Sequence, residues 1–150
     1  MDILFVEDSE ESRTFFARML RRCGHRVIPA GSLGEALEFL SCVRFDALVS
    51  DVTLPDGSGL DLVAEAKRRQ PLTRAVALSG WVNSEEREQG LRAGFDEYLT
   101  KPVDFYCLRA LLHQPGTTQT PPRLNKTRIT PSSSRTGAAS LELTPPASAC

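Results

Sequence analysis

Through residue 114 the chain alternates between short apolar runs and longer stretches in which apolar positions recur every three or four residues. Ile3-Leu4-Phe5-Val6 is an unbroken apolar run, the mark of a strand buried on both faces. The polar stretch Ser9-Glu10-Glu11-Ser12 opens a helical pattern carried by Phe15, Phe16, Met19 and Leu20, which Gly24 ends. Val27-Ile28 predicts a second strand, and Leu33, Ala36, Leu37 and Leu40 trace a second helix. Residues 47–50 predict a third strand running into Asp51, and a Pro- and Gly-bearing loop over 54–59 leads to a helix through Leu60, Leu62, Val63 and Ala66. Residues 75–78 form a fourth strand, and Ser84 opens a fourth helix that closes at Gly94. Tyr98-Leu99 gives a short fifth strand, and 103–113 a fifth helix.

Five strand–helix units in strict alternation imply an α/β fold, a parallel sheet with helices on both faces, because each parallel crossover needs a helix-length connection. Ligands of such sheets bind beyond the carboxyl ends of the strands. There the first strand ends in Glu7-Asp8, the third in Asp51, the fourth in Ser79, and the fifth is followed by Lys101-Pro102. Two carboxylates about 4 Å apart repel by roughly 4 kcal/mol at an effective dielectric near 20, so three of them call for a proton or a divalent cation. Oxygen ligands alone suit magnesium, which takes one or two carboxylates together with phosphate oxygens. Lys101 and Ser79 are suited to hold the other oxygens of a phosphoryl group, and a carboxylate can itself be the nucleophile. Singly, each residue has an ordinary explanation: an Asp at a strand end caps helices, a Ser sits in turns. The order across four of five strand ends is what points to chemistry.

ILFVEDSEES, ALVSDVTLPDGSGLDL, VALSG and AGFDEYLTKPVD resemble the receiver domain of two-component response regulators, in order, across residues 1–114. The run from Gly90 to Asp104 is also similar to receivers at the carboxyl end of hybrid histidine kinases. The resemblance implies a flavodoxin-like (βα)5 three-layer sandwich with strand order 2-1-3-4-5. It makes Asp51 the phosphoacceptor, attacking a phosphohistidine on a sensor histidine kinase or phosphotransfer protein. Mg²⁺ would be bound by Asp8, by Asp51, by the backbone carbonyl of Thr53 and, through water, by Glu7. Lys101 would neutralise phosphoryl charge, after a cis peptide to Pro102. Ser79 would bond the phosphoryl group, and Tyr98 would turn inward as Ser79 moves. Thr53 and Trp81 are the positions expected to set phosphoryl lifetime, Trp81 by crowding the water that hydrolyses it. Gly57 and Gly59 would permit the tight turn after Asp51, a structural role. A downstream protein would read the face of the fourth helix, fifth strand and fifth helix.

Two readings compete. A degenerate receiver would act as a phosphorylation-independent interaction module, yet Glu7, Asp8, Asp51, Ser79 and Lys101 are all present. A phosphotransferase of the haloacid-dehalogenase kind would carry a second Asp two residues after the nucleophile, where this chain has Thr53. The expectation is therefore a switch that catalyses only its own phosphorylation and dephosphorylation, and not an enzyme acting on other substrates.

Charge divides the chain. Residues 1–114 hold 14 basic and 18 acidic side chains, whereas 115–150 hold four basic residues against Glu142. Six of the ten prolines lie in that last stretch among Ser, Thr and Ala, with too few large apolar residues to offset the entropy of ordering it. It is expected to be a disordered tail after a receiver spanning 1–114. An acidic folded part and four scattered cations argue against direct nucleic-acid binding, and no apolar run is long enough for a membrane span. Cys23, Cys42, Cys107 and Cys150 lack metal-ligand spacing and read as reduced thiols, which together with the absence of a signal-peptide pattern predicts a cytoplasmic protein. In the fifth helix, Phe105, Leu108 and Leu112 suit the core, while Tyr106, Cys107 and Leu111 lie on another side. That second patch is expected to be partly exposed, as an interface for a partner or for a second copy in a homodimer.

Overall fold

Each apolar run becomes a strand and each periodic stretch a helix in the computed structural model, which describes residues 1–114. The order is β1 (Asp2–Val6), α1 (Glu10–Arg22), β2 (Arg26–Ala30), α2 (Leu33–Cys42), β3 (Ala47–Asp51), α3 (Gly59–Arg69), β4 (Arg74–Ser79), α4 (Ser84–Ala93), β5 (Glu97–Thr100) and α5 (Phe105–His113). Outside this series, Thr53–Leu54 pairs antiparallel with Gly57–Ser58 as a two-residue ladder within the loop after β3. The five strands form one parallel sheet in the order β2-β1-β3-β4-β5. This is the flavodoxin-like arrangement. The expected tail over 115–150 lies outside the described residues.

Alternate residues of the strands feed two cores. Leu4 and Val6 face one way, into a cluster with Ala36, Leu40, Leu62 and Val63 of α2 and α3. Ile3 and Phe5 face the other way, toward Ala17 and Leu20 of α1 and Leu108 and Leu112 of α5. Burial on both faces explains why the strands read as continuous apolar runs.

All five helices open on a side-chain cap: Ser9, Ser32, Ser58, Asn83 and Asp104 each accept a first-turn backbone N–H. Such caps contribute about 1 kcal/mol apiece. They also explain where the sequence expectation slipped. Asp104 bonds the N–H groups of Tyr106 and Cys107, so α5 begins at Phe105 and not at residue 103. On α5 only part of the second patch stands out. Tyr106 is 73% exposed, but Cys107 and Leu111 pack against the core cluster of α1 and α5. The expectation of reduced cysteines holds for Cys23 and Cys42. Among the described residues, no helix is long and apolar enough to cross a membrane.

The switch in strand order falls between β1 and β3. Val6 pairs with Ser50, so the next residues, Glu7 just past β1 and Asp51 at the end of β3, lie at the same level. Gly59 brings α3 close against that point. A Cβ at Gly59 would collide with the backbone oxygen of Asp51 and lie 3.1 Å from Val52 Cα. Neither can yield without moving the end of β3. Gly59 is thus required by close approach. Gly59→Ala is expected to destabilise the domain by about 2–3 kcal/mol, within the overpacking range, measured by urea unfolding. A loss below about 0.5 kcal/mol would show that α3 can shift freely.

Candidate functional site

Glu7 and Asp51 are each only 3% exposed, while Asp8 stands in solvent. One carboxylate oxygen from each of the three lies within 4.8 Å of the others. The fourth and fifth strands complete the edge. Leu78 pairs with Asp51 and Ser79 with Thr100, and the Lys101 N–H then bonds the Ser79 carbonyl at 2.8 Å. From there the Lys101 ammonium reaches 2.7 Å from Asp51 Oδ1 and 3.0 Å from Glu7 Oε2. The Lys101–Pro102 peptide is cis, as the resemblance implied.

Burial, with hydrogen bonding to Glu7 next in size, pushes the Asp51 carboxyl up to about 7, against the opposing pull of Lys101. Asp8 moves the other way, lowered mainly by its hydrogen bond with Glu7. Lys101 is disfavoured by burial, but hydrogen bonds and charge from Asp51 and Glu7 outweigh that and raise its pKa. Asp51 Oδ1 is buried and meets the Lys101 ammonium as an ion pair at 2.7 Å. A buried carboxylate oxygen with unused acceptor capacity, beside two further carboxylates and one ammonium, fits a hard divalent cation.

The expected switch residues are nearby but occupied. Ser79 Oγ donates to the Trp81 carbonyl at 2.7 Å and accepts from the Trp81 N–H at 3.3 Å, so its hydroxyl serves its own loop. Thr53 is exposed beyond β3. Thr53, Leu60, Ser79, Trp81, Glu86 and Tyr98 border a cavity of about 450 Å³. Trp81 is 73% exposed at its margin. The Tyr98 hydroxyl donates to the Glu86 carbonyl at 3.2 Å, and burial raises its pKa.

Sequence reasoning missed the seat of that ring. Gly90, buried within α4, lies against Tyr98: a Cβ there would clash with the hydroxyl and sit 2.5 Å from Cζ. A glycine inside a helical pattern costs about 1 kcal/mol relative to alanine, and that cost was the available clue.

Residues 3–113 match the family model of the response regulator receiver domain. The chain is 37% identical over 116 residues to an uncharacterized 14.6 kDa protein of Leptolyngbya boryana, covering 76% of this chain and 88% of that one. It is also 37% identical over 109 residues to the response regulator protein PilR of Pseudomonas aeruginosa, which covers 73% of this chain but only 24% of PilR. Among solved structures, a Burkholderia pseudomallei response regulator with a phosphorylated aspartic acid, calcium ion and citrate superposes with a TM-score of 0.71. That pair is 31% identical, over 75% of this chain and 66% of the other.

The raised Asp51 pKa has a definite sign for stability. The unfolded carboxyl ionises near 3.8 and the folded one near 7, so folding stability falls as pH rises between those values. Above about pH 7 the whole cost is present. In EDTA at pH 8, Asp51→Asn is therefore expected to be more stable than wild type by about 1–3 kcal/mol. The gap should narrow at pH 5 and on adding Mg²⁺ to the wild type. Urea unfolding across pH checks this, and a pH-independent gap would contradict it.

Proposed function

The chain belongs to the response regulator receiver domain family, and on that premise we propose that it accepts a phosphoryl group on Asp51 from a sensor histidine kinase or phosphotransfer protein. The observation that carries this reading is the buried Asp51 carboxylate, 2.7 Å from the Lys101 ammonium and opening toward Asp8 at the strand-order switch. The Burkholderia relative, with its phosphorylated aspartic acid and calcium ion, supports both the acceptor chemistry and the divalent cation.

In the proposed reaction an Asp51 carboxylate oxygen attacks the phosphorus of a phosphohistidine. The new P–O bond makes an acyl phosphate as the P–N bond breaks, and the imidazole leaves with the bonding electron pair. Asp8, Asp51 and the Thr53 carbonyl would hold Mg²⁺, with Glu7 acting through water. When bound, the cation supplies neutralisation of phosphoryl and carboxylate charge. Lys101 ion-pairs with Asp51 and Glu7 before the transfer and is in place to follow the charge onto the phosphoryl oxygens. Water attack on the same phosphorus later returns Asp51 and releases phosphate.

Switching then follows from what Ser79 and Tyr98 must give up. To reach a phosphoryl oxygen, Ser79 releases the Trp81 carbonyl. Tyr98 can follow by leaving the Glu86 carbonyl and turning into the adjoining cavity. The face of α4, β5 and α5, where Tyr106 is exposed, would present the change to a downstream protein or a second copy. A cytoplasmic location suits such a partner set.

Incubation with Mg²⁺ and acetyl phosphate, read by intact mass, is expected to add one phosphoryl group. The adduct should be missing in Asp51→Asn and in EDTA. No adduct on the wild type would favour a phosphorylation-independent interaction module. Trp81→Ala is expected to shorten the lifetime of the phosphorylated form about fivefold, a barrier change of about 1 kcal/mol. Phosphate release kinetics measure it, and equal rates would remove Trp81 from any role in lifetime.

A further inference from the structure

We propose that Arg13 is a positioning residue for the acidic pocket: from α1 it sets the peptide units that carry Glu7 and Asp8, and through them the pocket's affinity for a divalent cation. The proposal rests on the reading of that pocket as a cation and phosphoryl site.

Arg13 Nη1 donates to the Glu7 carbonyl oxygen at 2.8 Å and lies 3.4 Å from the Asp8 carbonyl oxygen. These are the backbone groups of the two residues that leave β1 for the carboxylate cluster. The Ser9 N–H meanwhile donates to Glu7 Oε1 at 3.1 Å. The peptide between Asp8 and Ser9 is therefore held from both ends, its carbonyl by the guanidinium and its N–H by the Glu7 carboxylate. Rotation of that peptide would turn the Asp8 side chain, which stands in solvent without packing to hold it, and would release Glu7 from Ser9.

Local geometry fits Arg13 for this task. Its N–H bonds the carbonyl of the cap residue Ser9 at 2.9 Å, in the first turn of α1. Side chains on a helix lean toward its N-terminus, so Arg13 reaches back over the connection from β1. A guanidinium presents several fixed donors and keeps its charge, so one group can serve two carbonyls. The space it fills is left open by Gly31, just after β2. A Cβ at Gly31 would lie 2.8 Å from Arg13 Nη1 and 3.3 Å from Cζ. Because those atoms end a flexible side chain, Gly31→Ala displaces the guanidinium without disturbing the fold.

Magnesium alone serves as the probe. Wild type, Arg13→Ala, Arg13→Lys and Gly31→Ala are titrated with Mg²⁺ by calorimetry at pH 8, and each is unfolded with urea in EDTA. Arg13→Ala is expected to weaken Mg²⁺ binding about tenfold, in line with the loss of groups that orient metal ligands. Arg13→Lys, keeping the charge and one donor, should recover to within about threefold of wild type. Gly31→Ala should unfold like wild type in EDTA and yet bind Mg²⁺ severalfold more weakly. A purely structural arginine would lower stability in EDTA and leave Mg²⁺ affinity alone. Affinities within twofold of wild type for both Arg13→Ala and Gly31→Ala would overturn the proposal, and if Arg13→Ala fails to fold, Gly31→Ala decides. A wild type that binds no Mg²⁺ would instead overturn the cation reading of the pocket, and the control makes that failure distinct.

Discussion

Three carboxylates gathered within 4.8 Å around a single ammonium form the constraint on which the rest of this structure depends. Like charges at such separations repel by several kcal/mol even when partly screened. Left to themselves, the side chains would splay into water. They stay because Glu7 and Asp51 stand at the ends of two neighbouring interior strands of a sheet buried on both faces, and neither strand can retreat. Lys101 offsets part of the repulsion and burial drives Asp51 toward holding its proton, so the pocket is left short of positive charge.

Register is what brings these groups together. Because Val6 pairs with Ser50, and Leu78 with Asp51, three successive strand ends arrive in step. Two glycines let other parts close in on that edge, Gly59 under the end of β3 and Gly90 beneath the Tyr98 ring. Serine, asparagine and aspartate caps fix where each helix departs. The strand ends therefore carry the acidic groups, and the loop from Ser79 to Trp81 closes on its own hydrogen bonds.

Most of the architecture was legible because its causes are local. Continuous apolar runs can only be strands buried on both sides, and strict alternation with helices leaves few topologies. Glu7, Asp8, Asp51 and Lys101 were legible for the same reason, since a strand end has only one side of the sheet to occupy. Ser79 was found but its present partner was not, because the Trp81 carbonyl is chosen by the path of a loop. The seat of Tyr98 on Gly90 escaped notice because it depends on contact between a helix and a strand. Arg13 reads in sequence as one of several solvated arginines on α1, and only its distance to two carbonyl oxygens sets it apart. For Cys107 and Leu111, helical periodicity gave the correct side, but could not tell how far the core extends around α5.

The thin attachment of α4 has a consequence of its own. Gly90, which has no side chain, is the one buried residue of this helix, whose surface is otherwise mostly polar. Packing free energy is distributed unevenly among the helices, and α4 holds the smallest share. Local opening there exposes little apolar area, so its amide protons should exchange through small fluctuations while those of β1 and β3 await unfolding of the whole domain. The switch proposed for Ser79 and Tyr98 would thus adjoin a helix whose apolar contact with the core is small, Ala93 being part of it.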